Sequence, residues 1–341
     1  MIFSHGNFLR YYLVLSYMSK IIVEICQNHN GDRQILADMI YAAKENGADI
    51  VKGQIIFSED LTHRTRFDEG EEESNGVRKT IRRSYGAEYE RLRALDLAEG
   101  DYRFFVEEAK KVGLAPMMTV FARRRIPFAV SLPWPAPRLV KVASYDCASV
   151  PLVRELGKHF DMLIVSTGAT FDEEIEKTAA VLQERGTPFA FLHCVTSYPN
   201  TLAMANLSRM HWLKQFTPLV GWSDHTLVAR DGIRAAKTAL MLGADFVERH
   251  FTILPADKTK DGPISIGPEL LRELTDFARL SPAEQKEWVE KEIPDWRLMQ
   301  GSPQREMTHG EMLNRDYYRG RFASAARDGW VDNWEDRPIG T

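Results

Sequence analysis

What this 341-residue chain lacks narrows its class before any motif is read. Only three cysteines occur, Cys26, Cys147 and Cys194, widely spaced and without a Cys-x-x-Cys pair. That usage excludes a disulfide scaffold and fits free thiols in a reducing, cytoplasmic compartment. Positive charge is not in excess either: 44 Lys and Arg face 48 Asp and Glu, a formal net charge of −4. Nucleic acid is therefore not an expected partner, and the cluster Arg123-Arg124-Arg125 reads as a solvated helix face. No apolar run is long enough to span a bilayer. The stretch Tyr11 to Met18 is apolar and follows Arg10, but it has no Ala-x-Ala-like cleavage site. Residues 1–20 are therefore expected to be a disordered or packed extension, or to follow from an upstream misassigned start. Low-complexity tracts are missing too, and 44% hydrophobic with 27% charged residues suits a globular chain with a large core.

From Ile21 onward, short β-branched or apolar runs alternate with helix-length amphipathic stretches, the pattern of repeated βα units around a parallel sheet. Eight strands are predicted: Ile21 to Ile25, Ile50 to Gln54, Pro116 to Val120, Leu139 to Ser144, Met162 to Ser166, Phe189 to Cys194, Leu219 to Ser223 and Phe246 to His250. Several stay apolar until their last residue or two, as strands covered on both faces do. Helices are predicted over Arg33 to Asn46, between Asp32 and Gly47, over Phe171 to Arg185, between Thr170 and Gly186, and over Leu227 to Leu242, ending at Gly243. Eight such units predict an α/β TIM barrel, (β/α)8, over residues 21–285, with a doubly wound open sheet as the alternative. The long charged insertion from Ser58 to Asp101 fits a lid or substrate loop with extra helices, or a plain solvated excursion. The tail, residues 286–341, leaves the repeat. Its tryptophans, Trp288, Trp296, Trp330 and Trp334, predict packing on the barrel or on another subunit.

In a barrel of this kind, catalytic groups gather where strands end. Polar residues recur there: Glu24, Lys52 and Gln54, Thr119, Lys141 and Ser144, Ser166 and Thr167, His193 and Thr196, then Ser223, Asp224, His225, Glu248 and His250. Any one of them could be a core group with a satisfied hydrogen bond. Recurrence on all eight strands is the signal. Two lysines with several hydroxyls, and Gly168 after Ser166-Thr167 opening a helix, suit a phosphate or a molecule carrying both phosphate and carboxylate. His225 and His250 close neighbouring strands and suit a divalent cation acting as a Lewis acid. A strand-end lysine could instead form a Schiff base, as in aldolases. A non-catalytic barrel that binds a sugar phosphate is a third reading.

Seven segments carry a resemblance, in this order: Ile22 to Asp32 (IVEICQNHNGD), Ala43 to Gln54, Lys141 to Ser144, Ser166 to Gly168, Leu192 to Pro199, Gly221 to Thr226 and Val247 to Thr252. Together they resemble the N-acetylneuraminate (sialic acid) synthases and their relatives that make other nonulosonic acids, over about Ile21 to Ser265. The resemblance implies condensation of phosphoenolpyruvate with an open-chain sugar aldehyde, N-acetylmannosamine-like or a related hexosamine, by a cytoplasmic homodimer. It also implies dependence on a divalent metal, Mn2+ first, with Mg2+ or Co2+ as alternatives. Carried over position by position, Lys52, Thr119, Lys141, Ser144, Ser166, Thr196 and Ser223 would hold phosphoenolpyruvate. His225 and His250 would hold the metal and, with Glu24, act in catalysis. Gln54, Asp146, Tyr198 and Asp261 would orient the sugar.

Three departures accompany the match. Thr196 stands where the family usually has Asn, and Lys260-Asp261-Gly262-Pro263 stands where Gly-Pro-Asp is typical. The tail is too short for the family's C-terminal antifreeze-like domain, which brings an arginine to the partner subunit's site, so no complete copy of that domain is expected. Arg319 and Arg321 are the candidates to replace that arginine, with a surface or packing role as the expectation for either.

Overall fold

The structure, a computed structural model, describes residues 18–322 and 333–334. The apolar stretch from Tyr11 to Tyr17, and Trp330, lie outside the described residues. Eight parallel strands close into a barrel: β1 Lys20–Glu24, β2 Ile50–Ile55, β3 Ala115–Val120, β4 Leu139–Val142, β5 Met162–Ser166, β6 Phe189–Cys194, β7 Leu219–Asp224 and β8 Phe246–His250. Neighbours pair in chain order and β8 closes on β1, with Ile22 opposite Glu248 and Glu24 opposite His250. All eight predicted strands are present. β4 stops short, because Ser144 opens a one-turn 3-10 helix, Ser144–Asp146.

The two-residue period of a strand sorts each one into an outward and an inward series. Outward residues such as Val23, Val51, Val140, Phe191 and Val247 join the large core beneath the helices. Inward residues Ile22, Ile50, Met117, Leu139, Ile164, Leu192 and Phe246 form a separate apolar plug at the N-terminal half of the lumen. On every strand but β6 the inward position that follows is polar and stands on that plug: Glu24, Lys52, Thr119, Lys141, Ser166, Ser223 and Glu248. Gly221 is part of the inward series on β7. A Cβ there would come within 2.2 Å of the Phe246 carbonyl oxygen and 2.7 Å of Leu192 Cδ2, so only glycine lets the plug close at that point.

Helix Arg33–Glu45 begins where its sequence signal places it, with the Asp32 carboxylate accepting from Gln34 N and Ile35 N. Two predicted helices differ in detail. Helix Asp172–Glu184 starts after Phe171, whose N–H donates to Glu174. Thr170, the expected cap, turns its hydroxyl to the Ser144 and Gly168 carbonyls, 3.0 Å from each. The stretch predicted as one helix from Leu227 to Leu242 divides into Val228–Asp231 and Arg234–Met241, because Gly232 adopts a positive φ of 57° and its carbonyl accepts from Arg249. The insertion after β2 folds into helix Arg66–Glu69, a ribbon pairing Glu71–Glu72 with Arg78–Thr80, and helix Tyr85–Arg93. In the tail, Trp288 packs 5.3 Å from the Phe277 ring with the Lys237 ammonium 3.7 Å above it.

Just past β1, buried His29 accepts the Gly31 N–H on Nδ1 at 3.0 Å, a bond only the neutral ring can take. Burial pulls this ring down from 6.5 to about 4, against the attraction of Asp101 and Asp32. A histidine depressed in the folded state favours folding above pH 6.5 and withdraws that contribution as pH falls toward 4. The loss from this ring is about 3 kcal/mol. Urea midpoints taken at steps across that window should fall more steeply for the native chain than for His29→Asn, which keeps an acceptor but does not titrate.

Candidate active site

Glu248, inward on β8, is the hub of the polar layer. Its Oε2 accepts from Lys141 Nζ at 2.5 Å, its Oε1 accepts from Ser223 Oγ at 3.1 Å, and Lys52 Nζ is 3.7 Å from Oε1. Lys52 also pairs with Glu24 and donates to Thr119 Oγ1 at 3.2 Å. Six strands thus deliver one group each to a single buried cluster. Two ammonium groups balance two carboxylates, so every buried charge is compensated. Burial works to raise the Glu248 carboxyl, but the Lys141 and Lys52 ammonium groups hold it below the usual carboxylate range. Burial pulls Lys52 down to about 7, against the attraction of Glu248.

Beside this cluster, Ser144 Oγ accepts the Gly168 N–H at 3.2 Å, and Ser166 Oγ is buried without a partner. A Cβ on Gly168 would meet Thr196 Cγ2 at 2.6 Å and Ser144 Oγ at 3.0 Å, which shows how tightly this corner is drawn together. Two ammonium groups next to hydroxyls form a receptor for an anion with several oxygens.

The histidines stand on the β7 and β8 side. Their rings are 5.2 Å apart, and the half-exposed Tyr198 ring is 4.3 Å from His225. Burial holds both imidazoles well below their ordinary value, His250 at about 4, so both are neutral and available as ligands. His225 Nδ1 faces the Val195 carbonyl at 3.4 Å. His250 Nδ1 is buried without a hydrogen-bond partner, 4.0 Å from Asp261 Oδ2. Cys26, two residues past the end of β1, donates its thiol to the same Asp261 oxygen at 2.8 Å. Ligand atoms of Cys26, His250 and Asp261 all lie within 4.8 Å of one another, the one such grouping among the described residues. Atoms bound at about 2.0–2.3 Å to one ion have separations of this order. The orphaned Nδ1 facing a carboxylate is what a cation between them would satisfy, so the residues fit a divalent metal. His225 stands next to this trio rather than within it.

The other sequence candidates divide. Gln54 continues the inward series of β2, level with Thr119. Asp146 ends the one-turn helix that starts at Ser144, and burial pushes its carboxyl up to about 7 against a hydrogen bond from Asn333. Two strand-end residues face outward: His193 bonds the Ala205 carbonyl at 2.7 Å, and Asp224 pairs with Arg249 at 2.9 Å, both fully buried. Arg321 pairs with Glu88, while Arg319 pairs with Glu174 at 3.0 Å and covers the Trp334 ring at 3.9 Å.

Sequence reasoning missed two elements. Cys26 reads there only as a free thiol. The second is helix His309–Tyr318, which packs at the C-terminal ends of β4, β5 and β6. Thr308 and Glu311 form its capping box, a signal that could have located the helix but not its docking place. Glu311 is fully buried, receives Arg305 at 2.7 Å on each oxygen, and accepts the Thr196 N–H at 3.3 Å. Asn314 donates to the Thr196 carbonyl at 3.0 Å, Arg315 to the Ala169 carbonyl at 2.5 Å, and Tyr318 stacks on Tyr145 at 4.8 Å. From the insertion, Arg64 donates to the carbonyls of Asp316, Tyr317 and Arg319.

The sequence profile of the NeuB family matches residues 39–288. The chain belongs to the NeuB family. As a member it is an enzyme of the sialic acid synthase type, among the nonulosonic acid synthases. It is 30% identical over 311 residues to the N,N'-diacetyllegionaminic acid synthase of Legionella pneumophila, covering 87% of this chain and 83% of that one. It is 29% identical to the N-acetylneuraminate-9-phosphate synthase of Drosophila melanogaster, over 75% of this chain and 66% of that one. The fold of this NeuB-family member is similar to the crystal structure of an N-acetylneuraminic acid synthetase from Leptospira borgpetersenii, with a TM-score of 0.65 at 24% identity, covering 88% of this chain and 91% of that one.

Proposed function

We propose that this synthase condenses phosphoenolpyruvate with the open-chain aldehyde of an N-acylated hexosamine, N-acetylmannosamine-like or related, releasing a nonulosonic acid and inorganic phosphate. The supporting observation is the pair of buried ammonium groups, Lys52 and Lys141, converging with hydroxyls at the end of the barrel where His225 follows β7 and His250 ends β8. Lys52, Thr119, Lys141 and Ser223, with Ser144, Ser166 and Thr196 at the tight corner, would take up the phosphate and carboxylate of phosphoenolpyruvate. Gln54, Asp146, Tyr198 and Asp261 would orient the sugar. A divalent cation held by His250 and Asp261, with His225 beside it, would supply Lewis-acid polarisation of the aldehyde oxygen. C3 of the enol attacks the aldehyde carbon, water adds at C2, and the tetrahedral adduct expels phosphate. Glu24, ion-paired with Lys52, would orient that water and accept its proton.

Phosphate release from phosphoenolpyruvate, followed with a panel of N-acylated hexosamines, tests the reading. Release is expected only with an aldehyde present, is lost with a chelator, and returns with a divalent ion. No release across the panel would overturn the reaction, and release indifferent to chelator would overturn the metal's part. One observation favours a second reading, Schiff-base aldol chemistry: burial lowers Lys52 to about 7, where a free amine becomes accessible. Its engagement with Glu24 and Thr119 opposes this, so borohydride with pyruvate is expected to trap no adduct on Lys52 or Lys141.

A further inference from the structure

Cys26 is the one residue of the metal-fitting trio that no sugar or phosphate chemistry requires. Its backbone is also unusual, with a positive φ of 53° in a residue that carries a side chain. This left-handed conformation is disfavoured outside glycine because Cβ crowds the following carbonyl oxygen. It is held in place because Cys26 N–H donates to Glu24 Oε1 at 2.5 Å. The resulting turn brings Sγ to 2.8 Å from Asp261 Oδ2, across 235 residues of sequence, beside the unpartnered Nδ1 of His250. A sulfur, a nitrogen and an oxygen therefore converge from the ends of β1 and β8 and the loop after β8.

We propose that Cys26 binds the divalent cation of this site as a thiolate, together with His250 and Asp261, and that the centre consequently selects thiophilic ions, Zn2+, Co2+ or Fe2+, over Mn2+ and Mg2+. Thiolate ligands shift selectivity toward these softer ions, whereas Mn2+ and Mg2+ belong with all-oxygen sets. On binding, the Cys26 S–H bond breaks, a sulfur–metal bond forms, and the thiol proton leaves to solvent, so one proton is released for each ion bound. Asp261 Oδ2, relieved of the thiol hydrogen, is free to turn to the ion. Two anionic ligands then match the 2+ charge while His250 remains neutral. The inference rests on the functional reading only in placing a cation at His250, and its test uses no substrate.

The whole chain is titrated with Co2+ and followed by absorption and by a pH indicator in weak buffer. A near-ultraviolet thiolate-to-cobalt charge-transfer band saturating at one equivalent, with release of one proton, is the expected result. In Cys26→Ser the band should vanish, and affinity for Co2+ and Zn2+ should fall at least about tenfold while that for Mn2+ changes far less. A Cys194→Ser variant should keep the band, since Cys194 Sγ instead neighbours His225 Nδ1 at 3.6 Å. Should Cys26→Ser fold poorly, the native chain still decides the matter: bound Zn2+ should slow alkylation of Cys26 at least about tenfold, read by peptide mass spectrometry. No band in the native chain, a band surviving in Cys26→Ser, or alkylation of Cys26 unaffected by Zn2+ would each overturn the proposal. A band without phosphate release would leave it standing and reject the proposed reaction instead.

Discussion

Replacing Glu248 by alanine is expected to destabilise the unliganded protein by about 3–5 kcal/mol, and inorganic phosphate should restore a large part of that loss. Without this carboxylate, Lys141 loses its 2.5 Å partner, and Lys52 keeps only Glu24 against a second buried ammonium. An anion with several oxygens can replace what the carboxylate supplied. Thermal unfolding with and without phosphate measures the effect, and the phosphate-induced rise should be larger in the variant than in the native chain. Equal shifts, or a variant as stable as the native chain, would reject Glu248 as the internal counter-anion of the two lysines. The same reasoning implies that the native site is kept assembled by its own carboxylates until the substrate's charges arrive.

The second large effect falls on the other half of the site. His250→Ala should lower turnover by about three orders of magnitude or more, roughly 4 kcal/mol of barrier. Bound metal should be lost with it, while KM for phosphoenolpyruvate should move little, because the lysines stand on β2 and β4. Phosphate-release kinetics paired with metal analysis of the purified variant check this. Unchanged turnover with unchanged metal would remove His250 from the centre, and a large rise in KM alone would move it to the phosphate end.

How much of this was legible in the chain follows from the range of each interaction. The strands could be read because both faces of a barrel strand are buried, so Met162 to Ser166 and Leu219 to Ser223 are apolar runs ending in a polar group. The lysine–hydroxyl cluster was legible for the same reason: the inward period that places Ile22 and Ile50 in the plug also places Glu24 and Lys52 above it. The break at Gly232 was not, because it depends on the carbonyl that Arg249 reaches from β8. Nor was the pairing of Cys26 with Asp261, two side chains brought together only by closure of β8 on β1. The bond between Asp146 and Asn333 was also not legible, because it joins the one-turn helix Ser144–Asp146 to a residue far along the chain.

Helix His309–Tyr318 also gives the molecule a timetable. Its carbonyls are gripped by Arg64, more than 250 residues earlier, and its buried Glu311 holds the main chain at Thr196. β8, which completes the barrel, ends at His250, about 60 residues before this helix, an interval of roughly 3–12 s at ribosomal speeds of about 5–20 residues per second. During that time a nascent chain has all eight strands and both lysines but not the helix that ties the turns after β5 and β6. The turns after β5 and β6 therefore spend their first seconds without the helix whose Arg315, Asn314 and Glu311 side chains hold their main chain at Ala169 and Thr196.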